Sequence, residues 1–85
     1  MILARTERFK KEFTRLPLSL KGRAEKQLAL LLQNPAHPSL HVEKMRGYPD
    51  IWEGRIAEGY RFTFQITGTA YLLRRIGTHD ILKRP

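Results

Sequence analysis

Four arginines and a histidine in the last third of the chain are of the types that handle phosphate. They are Arg55, Arg61, Arg74, Arg75 and His79, all within Ile51–Asp80. A guanidinium presents a planar fork of donors that matches two phosphate oxygens. Imidazole is the side chain that ordinarily changes charge near neutral pH. Arginines on a sheet beside one imidazole suit a site that holds a phosphodiester and moves protons around it. The chain has no cysteine, which excludes thiolate nucleophiles, disulfides and thiolate–metal centres. No spacing typical of metal ligands is present, so neither a metal nor a cofactor is expected.

Charge supports a polyanionic partner. The 85 residues include 16 Lys+Arg and 8 Asp+Glu, a formal net charge of +8. The excess is spread along the chain: residues 1–34 carry 8 cations and 3 acids, and residues 35–85 carry 8 cations and 5 acids. Nucleic acid or an acidic protein is the partner such a surface favours. Only Ile2, Leu3 and Ala4 separate Met1 from Arg5, too few apolar residues for a secretory signal core. No apolar run approaches the roughly 20 residues of a membrane span. A cytoplasmic protein with no membrane association is the expectation, with residues 1–85 as a single domain.

The elements that must position these residues are legible in the hydrophobic pattern. Ile2–Arg5 is predicted as a short first strand. Thr6 is placed to cap a helix over about 7–16, with Phe9, Phe13 and Leu16 on one face. Pro17 ends it. A second helix is predicted over about 19–33, capped by Ser19, with Leu20, Ala24, Gln27, Leu28, Leu31 and Leu32 along one side, stopped by Asn34-Pro35. The two would form a helical hairpin with a shared apolar seam. Pro35–Val42 reads as a connecting loop with His37 and His41 solvated, and Gly47-Tyr48-Pro49-Asp50 as a turn.

Three strands follow, at about 51–57, 60–67 and 70–76, joined by turns at Gly59 and Thr67-Gly68-Thr69. Tyr60, Phe62, Phe64 and Ile66 alternate with Arg61, Thr63 and Gln65, so the aromatics face the core and Arg61 the other side. In the last strand Leu72-Leu73 and Arg74-Arg75 occupy both faces, and the alternation is ambiguous. The order strand, helix, helix and then three strands in an antiparallel meander predicts an α+β fold. Helices cover one sheet face, and Arg55, Arg61 and Arg75 line an open, basic one. Arg61 could also pair with Glu53 across adjacent strands.

Several blocks together resemble the RelE/ParE superfamily of toxins from type II toxin–antitoxin systems. They are the F-K-K-E-F-x-x-L helix, P-x-x-x-x-L at Pro35–Leu40, W-E-G-R-I-x-x-G-Y-R-F-x-F at Trp52–Phe64, and I-G-T-H-D at Ile76–Asp80. The G-T-H ending is similar to the YafQ-like mRNA-interferase branch. The resemblance implies a metal-independent endoribonuclease acting on mRNA in the ribosomal A site, neutralised by a cognate antitoxin. It implies Arg61 as the clamp on the scissile phosphate, Arg55 as its assistant and His79 as a general acid or base. Lys44, Arg46, Arg75 and Lys83 fall among residues that would bind RNA. The chain departs from the pattern in its tail, Ile81-Leu82-Lys83-Arg84-Pro85, which lacks the usual aromatic. It also has no clear match to the glutamate base of the YoeB branch, for which Glu53 or Asp80 could substitute. The alternatives are a non-catalytic ParE-like gyrase poison, an inactive homologue that only binds an antitoxin, and a generic RNA-binding module.

Overall fold

The computed structural model describes residues 1–85. The chain runs β1 (Ile2–Arg5), α1 (Glu7–Thr14), α2 (Leu18–Gln33), a 3-10 turn (Pro38–Leu40), β2 (Glu43–Lys44), β3 (Trp52–Ala57), β4 (Tyr60–Thr67), β5 (Ala70–Thr78) and a second 3-10 turn (His79–Lys83). The strands form a five-stranded sheet in the order β1-β5-β4-β3-β2. The predicted meander is β3-β4-β5, with β1 added parallel to β5 and β2 antiparallel to β3. The fold is α+β as expected, with one strand more: the two residues Glu43 and Lys44 extend the sheet instead of belonging to a loop. The meander turns as its glycines dictate, because Gly59 and Gly68 adopt φ of 78° and 55°, where a side chain would be strained.

Thr6 caps α1 as predicted. Its hydroxyl oxygen accepts from the Phe9 N–H at 3.1 Å and donates to the Arg74 carbonyl at 2.9 Å, tying the helix start to β5. The start of α2 differs from expectation. Pro17 occupies the cap position and Ser19 lies inside the first turn, since the fixed φ of proline leads into a helix without a side-chain cap. The expected helical hairpin is also looser than predicted. α1 lies against β5 and α2 against β3, so the sheet is the main surface each helix buries. Leu32, predicted on the apolar side, is exposed.

The core lies between the helices and one sheet face. Phe9, Ala24, Leu28 and Leu31 from the helices meet Ile56, Phe62, Phe64, Leu73 and Ile76 from the strands, all essentially inaccessible to solvent. Burying each larger side chain contributes about 1.5–3 kcal/mol before entropy is counted. Trp52 stacks on Phe64, and Tyr71 meets Phe64 edge-on, so the aromatics are core as predicted. Leu40 is fully buried, which anchors the proline-rich loop through a 3-10 turn. His37 caps that turn by accepting the Ser39 N–H at 3.1 Å; it is half-buried, not solvated.

The ambiguity at Arg74-Arg75 is resolved by a bulge. Thr63 pairs with Arg75 and Phe64 with Leu73, leaving Arg74 as the extra residue of β5. Both arginines therefore lie on the face opposite the buried Leu73 and Ile76, where main-chain oxygens of the tail accept from each. This face, opposite the helices, is not left bare. The tail crosses it: Ile81 is buried with a methyl close over Gly77, and Pro85 is buried. The Pro85 main-chain oxygen accepts from Thr63 Oγ1 at 3.1 Å and Arg74 Nε at 3.2 Å. No helix is long and apolar enough to cross a membrane.

Candidate functional site

Strand register assembles the site. Arg55 on β3 pairs with Arg61 on β4, and Arg61 with Gly77 on β5. Directly opposed residues share a face, and Arg61 alternates with the buried Phe62. Arg55 and Arg61 therefore stand side by side on the sheet face away from the helices. The neighbouring row on that face is Glu43, Glu53, Thr63 and Arg75. His79 follows β5 two residues beyond Gly77 and opens the tail. β3 ends near Arg55, β4 begins near Arg61 and β5 ends just before His79, so one end of the sheet carries all three.

Two like charges directly opposed on adjacent strands are unfavourable unless something negative lies between them. No carboxylate pairs with either arginine; the ion pairs are Lys10–Glu7, Arg75–Glu12 and Lys83–Asp80. Arg61 does not pair with Glu53, because Glu53 lies opposite Thr63. Instead Arg61 Nη1 donates to the Tyr60 carbonyl at 3.2 Å and more weakly to Ala57 at 3.4 Å. This fixes the side chain and leaves Nε and Nη2 without protein acceptors. Arg55 Nε is buried with no hydrogen-bond partner, and its Nη1 lies 3.4 Å from His41 Nε2.

His41 is a residue that sequence reasoning missed. It follows the proline-rich turn in a left-handed conformation, φ 46° and ψ 47°, which is uncommon for a residue with a side chain. Nothing in hydrophobic periodicity marks it, since the 3-10 turn that carries it next to Arg55 has none. His79 is exposed and makes no side-chain hydrogen bond, so it does not bond Asp80; Asp80 faces Lys83 at 3.9 Å.

The other expected RNA contacts divide. Lys44 pairs with Trp52, whose side chain stacks in the core, so Lys44 belongs to the face opposite Arg55 and Arg61. Arg46 is exposed in the loop after β2, and Lys83 is exposed in the tail. Arg75 does not line an open groove as expected. Its guanidinium meets Glu12 at 2.6 Å and also donates to the Arg84 carbonyl at 3.0 Å, because β1 has ended and α1 closes the edge of β5 there. No group of acids and histidines able to hold a metal ion is present.

No protein-family model matches the chain, and no curated protein matches it. Solved structures do. The isolated RelE toxin of E. coli superposes with a TM-score of 0.72 at 25% identity, over 91% of this chain and 82% of that one. The RelB-RelE antitoxin–toxin complex of Methanococcus jannaschii gives 0.76 at 16% identity, over 94% of each chain. A YoeB/ParE toxin from Agrobacterium tumefaciens gives 0.79 at 16% identity, over 93% of this chain and 99% of that one. The chain has the fold of the RelE/ParE toxin superfamily, as its sequence blocks implied.

Proposed function

We propose that this chain is the toxin of a type II toxin–antitoxin pair and cuts mRNA on the ribosome. The observation that carries the reading is the Arg55–Arg61 pair, two uncompensated guanidinium groups opposed on one sheet face. A scissile phosphate between them would supply the missing negative charge. As the phosphorane forms, that charge grows, and the pair would stabilise it more than the ground state.

The rest of the row fits an in-line displacement, in which nucleophile and leaving oxygen occupy opposite sides of phosphorus. Glu53 lies one row further into the sheet, half-buried and without a partner. His79 lies beyond the sheet end on the other side. Glu53 takes the proton of the ribose 2′-hydroxyl, and the 2′-oxygen attacks phosphorus. The bond to the 5′-oxygen breaks, and His79 protonates that oxygen. The products are a cyclic phosphate and a free 5′-hydroxyl.

The RelB-RelE complexes of similar fold support an antitoxin as the regulating partner, and the net charge of +8 suits an acidic one. Mapping 5′ ends of cellular mRNA after brief induction, beside Arg61→Ala, tests the activity. New cuts inside translated codons, lost in the variant and when translation is blocked, are the expected result. Growth arrest without cuts would turn the reading to a bound target such as gyrase.

A further inference from the structure

A second cluster of arginines lies away from the Arg55–Arg61 row. A cleft of about 190 Å³ is lined by Thr6, Arg8, Arg74, Arg75, Arg84 and Pro85, with no acid among them. Arg75 is neutralised by Glu12. Arg74 meets no acidic side chain: its guanidinium donates to Gln65 Oε1 at 2.8 Å and to an oxygen of Pro85 at 3.2 Å. The Arg8 and Arg84 side chains are exposed and touch no acceptor. Three arginines thus converge from α1, the β5 bulge and the tail with no acidic side chain lining the cleft. The volume is below the roughly 300–1,000 Å³ of drug-sized ligand pockets, which fits a phosphate group and not a nucleobase. A contiguous cleft of about 310 Å³ shares Arg8, Arg74 and Arg84 and adds Tyr48 and Ile51. Tyr48 is 38% exposed, and its hydroxyl donates to the Lys83 carbonyl at 3.0 Å, which fixes the ring as a platform.

We infer that this double cleft is a second binding site for single-stranded RNA, outside the site of cleavage. Arg8, Arg74 and Arg84 hold one backbone phosphate, and Tyr48 stacks the adjoining base. The aromatic platform beside the arginines favours RNA over an acidic peptide, because unpaired bases stack on such rings. β5 lies about 4.8 Å from β4, and Arg74 is two to three residues along the sheet from the Arg61 row, about 7–10 Å. The held phosphate is therefore within a few nucleotides of the scissile one. The inference rests on the RNA reading above, and its test separates the two.

The probe is a fluorescent single-stranded 12-mer with 2′-O-methyl riboses, which cannot be cleaved by 2′-oxygen attack. Its affinity is measured by anisotropy against salt for the wild-type chain, the Arg8→Ala/Arg84→Ala double variant and Tyr48→Leu. Neither replaced arginine side chain supports the fold, and thermal melts confirm that the double variant is folded. The expected result is roughly tenfold weaker binding by the double variant at low salt. Its log–log salt slope should fall by about 0.7, the value for one lost phosphate contact on a single strand. Tyr48→Leu should weaken binding with the slope unchanged. Equal affinities and slopes would overturn the second site and leave the ribonuclease reading standing. Wild-type protein that ignores the 12-mer would overturn the second site, while the ribonuclease reading stands or falls on the mRNA cuts alone. Binding as expected without cuts in cells would sink the ribonuclease alone. A glutamate-rich peptide that binds more tightly than the RNA, and loses that binding in the double variant, would reassign the cleft to an acidic protein segment.

Discussion

Glu12 and Arg75 meet at 2.6 Å at the point where β1 has run out alongside β5. The other Glu12 oxygen accepts the Ile76 N–H at 3.3 Å, an edge donor that a longer β1 would have satisfied. One carboxylate from α1 therefore closes the edge of β5, balances an arginine and fixes the helix on the sheet. Both side chains are about 85% buried, with exposures of 15% and 16%, so neither can hydrate freely once its partner is gone. Glu12→Ala should cost about 2–4 kcal/mol, read as a lower midpoint in urea unfolding. Glu12→Gln keeps the acceptor for Ile76 and should cost less. A loss below about 0.5 kcal/mol for the alanine variant would mean that the pair contributes nothing net, as is common for exposed pairs.

Much of this architecture could be read from residue order, and the exceptions share a cause. Alternation placed Phe62, Phe64 and Arg61 on their correct faces, and Thr6 was legible as a cap, because both are local signals. The Arg74 bulge was not legible, since two leucines followed by two arginines suit either register until β4 fixes one. The two-residue β2, the burial of Ile81 and Pro85 against the sheet, and the approach of His41 to Arg55 all depend on contacts distant in sequence. For the candidate site, residue type pointed to the four arginines and His79, and it was the family resemblance that singled out Arg55, Arg61 and His79. Arg75 was misjudged because its counter-charge, Glu12, lies 63 residues away.

Two glycines should respond to alanine in opposite directions. A Cβ at Gly54 would run into the Phe62 ring, which is fully buried and cannot swing aside. Gly54→Ala should cost about 1–3 kcal/mol by overpacking. Gly22 sits on the exposed side of α2 with open space around it, so Gly22→Ala should stabilise by about 0.5–1 kcal/mol. Thermal or urea unfolding of both variants checks the pair of signs.

Arg55 is placed at a cost to the fold. Its Nε is buried without an acceptor, and its charge faces Arg61. Arg55→Met keeps the aliphatic contacts and removes both penalties. The variant should be as stable as wild type or up to about 1 kcal/mol more stable, while losing RNA cleavage, the pattern of a residue kept for function. A clear loss of stability would show that the guanidinium has a structural role at β3.

His79 and Arg61 should separate cleanly, because one is exposed without partners and the other is fixed by two carbonyls. His79→Ala should leave stability unchanged and lower the cleavage rate on programmed ribosomes by roughly 10²–10⁴, the usual span for a lost general acid. Arg61→Lys should also fall about 10²–10³, since an ammonium cannot match two phosphate oxygens and the stabilisation of charge is lost. The two deficits differ in kind. In a substrate whose 5′-leaving oxygen is replaced by sulfur, the leaving group departs without protonation. His79→Ala should then cleave at close to the wild-type rate, and Arg61→Lys should stay slow, because the phosphorane still needs its clamp. If the sulfur substrate rescues neither variant, His79 is not the acid, and the proton reaches the leaving oxygen by another route.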